Sequence, residues 1–142
     1  MSNLNSATFR LEDYSIVSFA FNKPEEKEEL TLNVDFSPSG IYSESDNTFV
    51  LTFDFTAFII TSNNNNFDVV KATLESKFVF GEETTFEDIP DFFYKNSIAI
   101  VFPYLRAFVS NLTLQANTTP IILPTLNLSN LEPVLRENTH KA

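Results

Sequence analysis

FVLTFDFTAFIIT, residues 49–61, is the stretch that decides the fold. Apolar residues stand at every odd position from 49 to 59, while Thr52, Asp54 and Thr56 lie between them. This alternation with period two is typical of a strand that buries one face and exposes the other. Its far end is apolar on both faces, at Phe58 and Ile60. The stretch therefore predicts a long strand in an antiparallel sheet.

Three further strands are predicted around it by the same period. The first has Val17, Phe19 and Phe21 on one face and ends at Pro24. The second ends its regular part at residues 38–40, and a polar loop at residues 62–66 precedes the fourth. Apolar faces of the second and fourth strands are formed by Leu30, Leu32, Val34 and Phe36, and by Val70, Ala72, Leu74, Phe78 and Phe80. We expect a four-stranded antiparallel meander over residues 14–80, after a polar lead-in at 1–13. An extension of the first strand to Phe9 and Leu11 stays open.

A helical period replaces the strand period after the acidic residues 82–88. Residues 95–116 predict one long helix, with apolar positions at Ile98, Val101, Phe102, Leu105, Phe108, Val109 and Leu112. Pro103 leaves two possibilities, a helix that begins near Phe102 or one that is kinked. Residues 120–124 predict an extended connector. The pair Ser129 and Glu132 has the spacing of a capping box, which predicts a short helix over 129–137 and a frayed tail over 138–142. The whole is one α+β domain of 142 residues.

The composition excludes several classes of partner. Nine basic against nineteen acidic residues give a net charge of −10, which argues against nucleic acid and anionic membrane. Sixteen phenylalanines accompany only two glycines and no tryptophan. This surplus indicates either apolar surface for an oligomer interface or binding groove, or simply an aromatic core.

Residues for catalysis are also missing. The chain has no cysteine, and its single histidine, His140, falls in the predicted tail. No glycine-rich phosphate loop is present, and the acidic clusters lack the spacing of a calcium loop. We therefore expect no enzyme activity, no metal and no cofactor. The N-terminal residues do not have the pattern of a signal peptide, and no run of about 20 apolar residues occurs, so we expect a soluble cytoplasmic protein without membrane insertion.

Residues 98–113 and 120–131 resemble the C-terminal half of the SecB protein-export chaperones. The resemblance rests on Phe102-Pro103, Tyr104, Arg106 and the connector with its prolines, leucines and Asn127. It implies a SecB-like α+β fold, assembly as a dimer of dimers with the long helix near the interface, and ATP-independent binding of unfolded precursor proteins to keep them competent for export. The client groove implied by the resemblance would contain Leu30, Leu32, Val34, Phe36, Leu126, Leu128, Leu131 and Leu135.

The resemblance also implies a partner, for which the sequence leaves two candidates, the translocation ATPase and an antitoxin. Export members dock the translocation ATPase through carboxylates, whereas Ala20 and Lys77 stand near two of those positions here. A SecB-like chaperone devoted to one partner, such as an antitoxin, fits this difference. Two alternatives stay open: an oligomeric adaptor that binds no unfolded chain and buries all its phenylalanines, and a small-ligand binder with an aromatic cavity.

Overall fold

The computed structural model of the chain describes residues 8–25, 31–124 and 127–142. Its strands are β1 (Phe9–Phe21), β2 (Leu32–Ser43), β3 (Thr48–Ile60), β4 (Asn66–Phe80) and β5 (Thr139–Lys141). Its helices are α1 (Asp91–Gln115) and α2 (Glu132–Glu137), and two 3₁₀ turns cover Phe86–Asp88 and Leu128–Asn130. The fold is α+β, as the sequence predicts, but the sheet has five strands and is mixed, not four-stranded and antiparallel.

The strand order is β1-β4-β3-β2-β5. Strands β2, β3 and β4 form an antiparallel meander, whereas β1 pairs antiparallel with β4 instead of β2. The predicted four-strand meander is therefore wrong, because β4 and β3 lie between β1 and β2, which is a Greek-key order. Strand β5 then pairs in parallel with Gly40–Tyr42 of β2.

Strand β1 is longer and less regular than its pattern predicts. It includes residues 9–13, which the sequence places in the polar lead-in. Two bulges, at Glu12 and Val17, each add one residue relative to β4. Because a bulge changes which residues share a face, Val17 is not part of a regular series with Phe19 and Phe21. Val17 is the extra residue of the second bulge and is half exposed.

Strand β2 continues through Pro38 and Gly40 instead of ending there. Gly40 leaves room for the buried Phe49 ring, since a Cβ atom at this position would lie 2.3 Å from Cζ of Phe49. The polar loop between β3 and β4 is confirmed: the Thr61 N–H donates to the Asn65 carbonyl at 2.8 Å, and Asn64 has a left-handed φ of 61°.

The core lies between one face of the sheet and α1. Phe93 of α1 is fully buried at its centre. Its ring lies 4.7 Å from the rings of Phe9 and Phe49, and 5.0 Å from Phe80. Edge-to-face and tilted packing of this kind adds to the free energy from apolar burial alone. Much of the phenylalanine surplus is therefore core, as one of the two interpretations expects.

Helix α1 begins at Asp91, four residues before the predicted start. Pro103 lies inside the helix, which excludes a start near Phe102; its ring nitrogen cannot donate to the carbonyl of Ala99. The helix has the length and hydropathy of a membrane span by composition alone. A helix buried in a protein core can have the same length and hydropathy. One face of α1 is buried on the sheet, at positions that include Phe93, Ile98, Val101, Leu105 and Val109.

The C-terminal region differs from its prediction in two ways. Ser129 lies within a 3₁₀ turn and Leu131 is the N-cap of α2, without a side-chain cap, so the predicted capping box is wrong. Pro133 is in the first turn of α2, where proline is tolerated. The predicted tail is strand β5, and His140 lies exposed on it. The Gly40 N–H donates to the Asn138 carbonyl at 3.1 Å, a contact between distant residues that local patterns do not reveal.

Candidate functional site

A large open cleft lies at one end of the sheet. Its volume is about 1050 Å³. The walls come from the ends of four strands, at Phe21, Leu32, Ile59 and Val69, and from the connector at Ile121 and Ile122. A second hollow of about 480 Å³ adjoins it and shares the Phe21, Lys23, Pro24 and Ile59 walls. The cleft is lined by apolar side chains and by polar ones, namely Lys23, Asn117 and three threonines. The single lysine is the one charged group in this lining, so no charged groups converge there.

The connector is held against the C-terminal end of α1 by hydroxyl groups. The Ser110 hydroxyl donates to the Ile121 carbonyl at 2.7 Å, and the Ile121 N–H donates to Oγ1 of Thr113 at 2.9 Å. Thr118 also donates from its hydroxyl to the Thr113 carbonyl at 2.8 Å. Asn117 ends the helix with a left-handed φ of 61°. These bonds fix the connector while Ile122, 70% exposed, projects at the mouth of the cleft.

Only part of the predicted client groove is brought together at this cleft. Leu32 lines it and is 38% exposed. Val34 and Phe36 are half-buried on the α1 side of β2, where the Phe36 ring lies 5.8 Å from that of Phe102. Leu128 and Leu131 are half-buried against the core.

Three of the predicted groove residues need separate mention. Leu135 is fully buried, so it belongs to the core and has no surface for a client. Its α2 helix packs against β2 and the N-terminal end of α1. Leu30 and Leu126 lie outside the residues that the structure describes.

The predicted motif residues separate into two groups. Phe102 is buried in the core, and Asn127 accepts the Ser129 N–H at 3.2 Å and so stabilises the 3₁₀ turn. Pro103 and Arg106 instead lie exposed on the outer side of α1. With Ala107, Leu114 and Ile122 they line a hollow of about 490 Å³ on that side. We call this surface the outer helix face.

An aromatic band between β1 and α1 was not predicted from the sequence. Tyr14 stacks on Tyr104 with ring centres 4.2 Å apart, and Phe19 contacts Phe108 at 5.2 Å. Phe19 is 57% exposed. The period-two pattern includes Phe19 but not Tyr14, because the bulge at Val17 lies between them. Tyr104 and Phe108 are four residues apart on the helix and carry a detectable signal. Phe19 is thus accessible in the single chain, where a client or another copy of the chain can contact it.

The charged side chain of Arg136 links two elements of the fold. Arg136 bonds Asp91 at 2.8 Å and Glu132 at 3.2 Å, and its guanidinium lies 4.5 Å from the centre of the Tyr94 ring. The hydrogen bond to Asp91 raises the pKa of Arg136, and burial raises the pKa of Tyr94. These contacts fasten α2 to the start of α1.

A second charged link joins the turn after β2 to two other segments. Glu44 accepts the Phe86 N–H at 2.8 Å and pairs with Lys141 at 3.1 Å. The backbone hydrogen bond from Phe86 lowers the pKa of the Glu44 carboxyl. Within residues 8–25, 31–124 and 127–142, no three histidine or acidic side chains are grouped as a metal site.

The outer face of the sheet differs from an acidic docking surface at the two positions noted in the sequence. Ala20 is exposed near the end of β1. Lys77 pairs with Glu12, with Nζ and Oε2 3.9 Å apart. Thr73 donates to Asp54 at 2.6 Å on the same face. The Glu12 carboxylate is thus already paired with Lys77.

Comparison with known proteins identifies a sequence relative and a structural neighbour. The uncharacterized protein MJ0357 of Methanocaldococcus jannaschii is 33% identical over 136 residues, covering 88% of this chain and 84% of that protein. No protein-family model matches the chain.

The structural neighbour is the SecB-like chaperone Rv1957 of Mycobacterium tuberculosis, solved in complex with a ChAD peptide from the antitoxin HigA1. It superposes with a TM-score of 0.67 at 18% identity, over 84% of this chain and 91% of that one. This likeness concerns the fold, and it confirms the SecB-like architecture expected from residues 98–131. The chain therefore belongs to the family of the MJ0357 protein and has the fold of a SecB-like chaperone.

Proposed function

We propose that the chain is an ATP-independent holdase that binds unfolded polypeptide in the cleft at the end of the sheet. The cleft itself carries the proposal: it is open, has a volume of about 1050 Å³, and has the apolar side chains of Leu32 and Ile122 accessible to a client. A holdase needs such patches because many shallow contacts along one flexible chain accumulate into useful affinity. Aromatic and aliphatic walls recognise apolar segments without requiring a particular sequence.

The open shape of the cleft also favours binding of a polypeptide over binding of a small ligand. Pockets for small molecules usually enclose most of the ligand and place a few polar groups to orient it. Here the cleft continues into the second hollow along Phe21, Lys23 and Pro24. Such continuity suits an extended chain that runs across several patches.

Assembly as a dimer of dimers, in the cytoplasm, is part of the proposal. A helix at the surface of a monomer is normally polar on its outer side. The outer helix face of α1 has Leu114 54% exposed beside Pro103 and Ala107, and the aromatic band lies between β1 and α1. Two separate apolar surfaces supply the two kinds of contact that a dimer of dimers requires.

A dedicated partner of the antitoxin kind is favoured over general export. The similar Rv1957 chaperone was solved with an antitoxin peptide. The pairing of Lys77 with Glu12 also makes the outer sheet face less suited to an ATPase that recognises carboxylates. Purified chain should therefore bind an antitoxin-derived peptide in preference to the purified translocation ATPase, measured by titration of each; tight binding of the ATPase alone would favour export instead.

The cleft is tested with Leu32→Asp and a matched control, Ile60→Asp. Leu32 pairs with Ile59, so Ile60 is next to the same site but on the opposite face of the sheet, with 49% exposure. Each variant is assayed, without nucleotide, for suppression of the aggregation of a slow-folding protein. We expect the wild type and Ile60→Asp to suppress aggregation at stoichiometric amounts, and Leu32→Asp to need several-fold more protein. Equal activity of the two variants would show that the client-binding site lies outside the cleft.

A further inference from the structure

The connector that follows α1 is extended, and its residues 119–124 belong to no helix or strand. Pro120 and Pro124 bound its last part. A proline ring fixes the φ angle of its own residue and restricts the residue before it. Leu123 is 1% exposed, so its side chain anchors the connector in the core. The backbone here therefore has few alternative conformations, although no regular element contains it.

Ile121 is the residue at which α1 holds the connector. Its N–H donates to Oγ1 of Thr113 at 2.9 Å, and its carbonyl accepts the Ser110 hydroxyl at 2.7 Å. Both backbone groups of one residue are thus bonded to side chains of the same helix. Because residues three apart are neighbours on a helix surface, the two hydroxyls act as a pair. We call Ser110 and Thr113 the hydroxyl clamp.

The Thr113 side chain is itself fixed in direction. It is 1% exposed, and its hydroxyl donates to the Val109 carbonyl at 2.9 Å, with the Ser110 carbonyl at 3.1 Å as a second acceptor. Since a hydroxyl has one proton, its lone pairs are left to accept the Ile121 N–H. The Thr113 carbonyl accepts the N–H and the hydroxyl of Thr118, at 3.1 and 2.8 Å. The end of α1 and the connector therefore form one hydrogen-bonded unit.

The hydroxyl clamp determines which side chain of the connector faces the cleft. Ile121 is half-buried against the core and Leu123 is buried, whereas Ile122 between them is 70% exposed and lines the cleft. On an extended backbone, successive side chains point to opposite sides. The two bonds at Ile121 therefore set the direction in which Ile122 projects.

We propose that Ser110 and Thr113 are positioning residues for client binding, which hold Ile122 as a preformed apolar rim of the cleft. The inference rests on the proposed function and adds the groups, outside the contact surface, that control its affinity. Thr113 lines the cleft but is 1% exposed, so it offers a client almost no contact and acts through the connector. A rim ordered before binding costs no ordering entropy when the client binds. A rim in place for only part of the time lowers the apparent affinity by that fraction.

The hydroxyl clamp is tested with Thr113→Val and Thr113→Ser. Valine keeps the shape of threonine but removes the acceptor of the Ile121 N–H, whereas serine keeps the hydroxyl and loses a methyl group. Each variant is titrated, without nucleotide, with a fluorescently labelled protein kept unfolded by reduction and alkylation. We expect Thr113→Val to bind about threefold to tenfold more weakly than the wild type, the usual effect of one lost hydrogen bond. Thr113→Ser should stay within about twofold of the wild type.

Thr139→Val is the matched control for the loss of a buried hydroxyl. Thr139 is 7% exposed, and its hydroxyl donates to the Leu135 carbonyl at 2.6 Å. It pairs with Gly40 of β2, whereas Leu32, at the other end of that strand, lines the cleft. We expect Thr139→Val to lower the midpoint of urea unfolding but to leave the affinity for the client unchanged. An affinity loss caused only by reduced stability would appear in Thr139→Val as well as in Thr113→Val.

A double variant tests whether Thr113 acts through the rim. Ile122→Ala removes the exposed side chain and should weaken client binding by itself. We expect Thr113→Val to cause no further loss in the Ile122→Ala background, because both changes remove the same contact.

Hydrogen exchange of the Ile121 amide, followed by NMR, measures the hydroxyl clamp directly. We expect this amide to exchange about tenfold faster in Thr113→Val than in the wild type, because its acceptor is gone. If Thr113→Val does not fold, Ser110→Ala supplies the test: it removes the other hydroxyl from a partly exposed position and should weaken client binding about twofold to fivefold.

The outcomes separate this inference from the proposed function. Unchanged client affinity in Thr113→Val, with faster exchange at Ile121, would overturn the positioning role and leave the holdase proposal standing. An equal loss of affinity in Thr139→Val would do the same, and so would additive losses in the double variant with Ile122→Ala. Absence of client binding by the wild type would overturn the holdase proposal and the positioning role with it.

Discussion

At the scale of single residues, the two glycines have very different surroundings. At Gly40 an added Cβ atom would meet Cζ of Phe49 at 2.3 Å, whereas at Gly81 the nearest atoms are those of Thr8 at 3.6 Å. We expect Gly40→Ala to lower the free energy of unfolding by about 1–3 kcal/mol, because the buried Phe49 ring must move. Gly81→Ala should change it by less than about 0.5 kcal/mol. Urea denaturation of both variants measures these free energies of unfolding. Equal stabilities would show that the Phe49 ring can shift without loss of stability.

Neighbouring phenylalanines of α1 form a second residue-scale contrast. Phe93 is fully buried among aromatic rings, while Phe92 is 47% exposed. Phe93→Ala should cost about 3–5 kcal/mol, the usual loss for a large buried ring. Phe92→Ala should cost much less, because its ring already contacts solvent. Thermal or chemical unfolding of the two variants measures the difference; a similar loss in both would mean that Phe92 is buried in an assembled form.

Residue patterns predicted side-chain faces only where the backbone stays regular. In β3 the alternation from Phe49 to Ile59 matches the buried face. In β1 the bulges at Glu12 and Val17 shift the register, so the period-two assignment of Val17 is wrong. Leu135 shows another limit: a leucine in a short amphipathic segment has the same pattern whether it is core or groove, and its full burial becomes evident only from the packing of α2.

At the scale of elements, helix α1 has an apolar outer helix face as well as its buried face. Leu114 is 54% exposed on it. If this face joins copies of the chain, Leu114→Asp should reduce the assembled mass, because a carboxylate would be desolvated at the contact. Ile41→Asp is the control, since Ile41 is 53% exposed on the outer face of the sheet. The mass of each variant is measured by light scattering after size-exclusion chromatography. An unchanged mass of Leu114→Asp would show that the outer helix face is not part of the interface.

Element identity was more predictable than element pairing. The long helix and the polar β3–β4 loop follow from local periods and turn residues. The short C-terminal helix was expected from a capping box that the structure does not contain. The pairing of β1 with β4 and the docking of β5 on β2 depend on contacts across the molecule. No local pattern encodes them, and the short strand Thr139–Lys141 resembles a frayed terminus until Gly40 and Asn138 are seen to bond.

At the scale of the whole molecule, two accessible surfaces of the described residues are candidates for association. The cleft lies at the end of the sheet, and the outer helix face lies on α1. The SecB-like architecture could be inferred from residues 98–131, but the cleft could not, because its walls come from four strand ends and the connector. The exposed apolar surface and the charge of −10 together suit a protein that stays dispersed while it holds other chains.

Binding of one protein in its folded and unfolded forms tests the central claim most directly. The purified chain is titrated, without nucleotide, with a fluorescently labelled protein kept unfolded by reduction and alkylation, and with the same protein in its native state. The account predicts saturable binding of the unfolded form, with at least tenfold weaker binding of the native form. Equal affinity for the two forms, or no binding of the unfolded one, would contradict it.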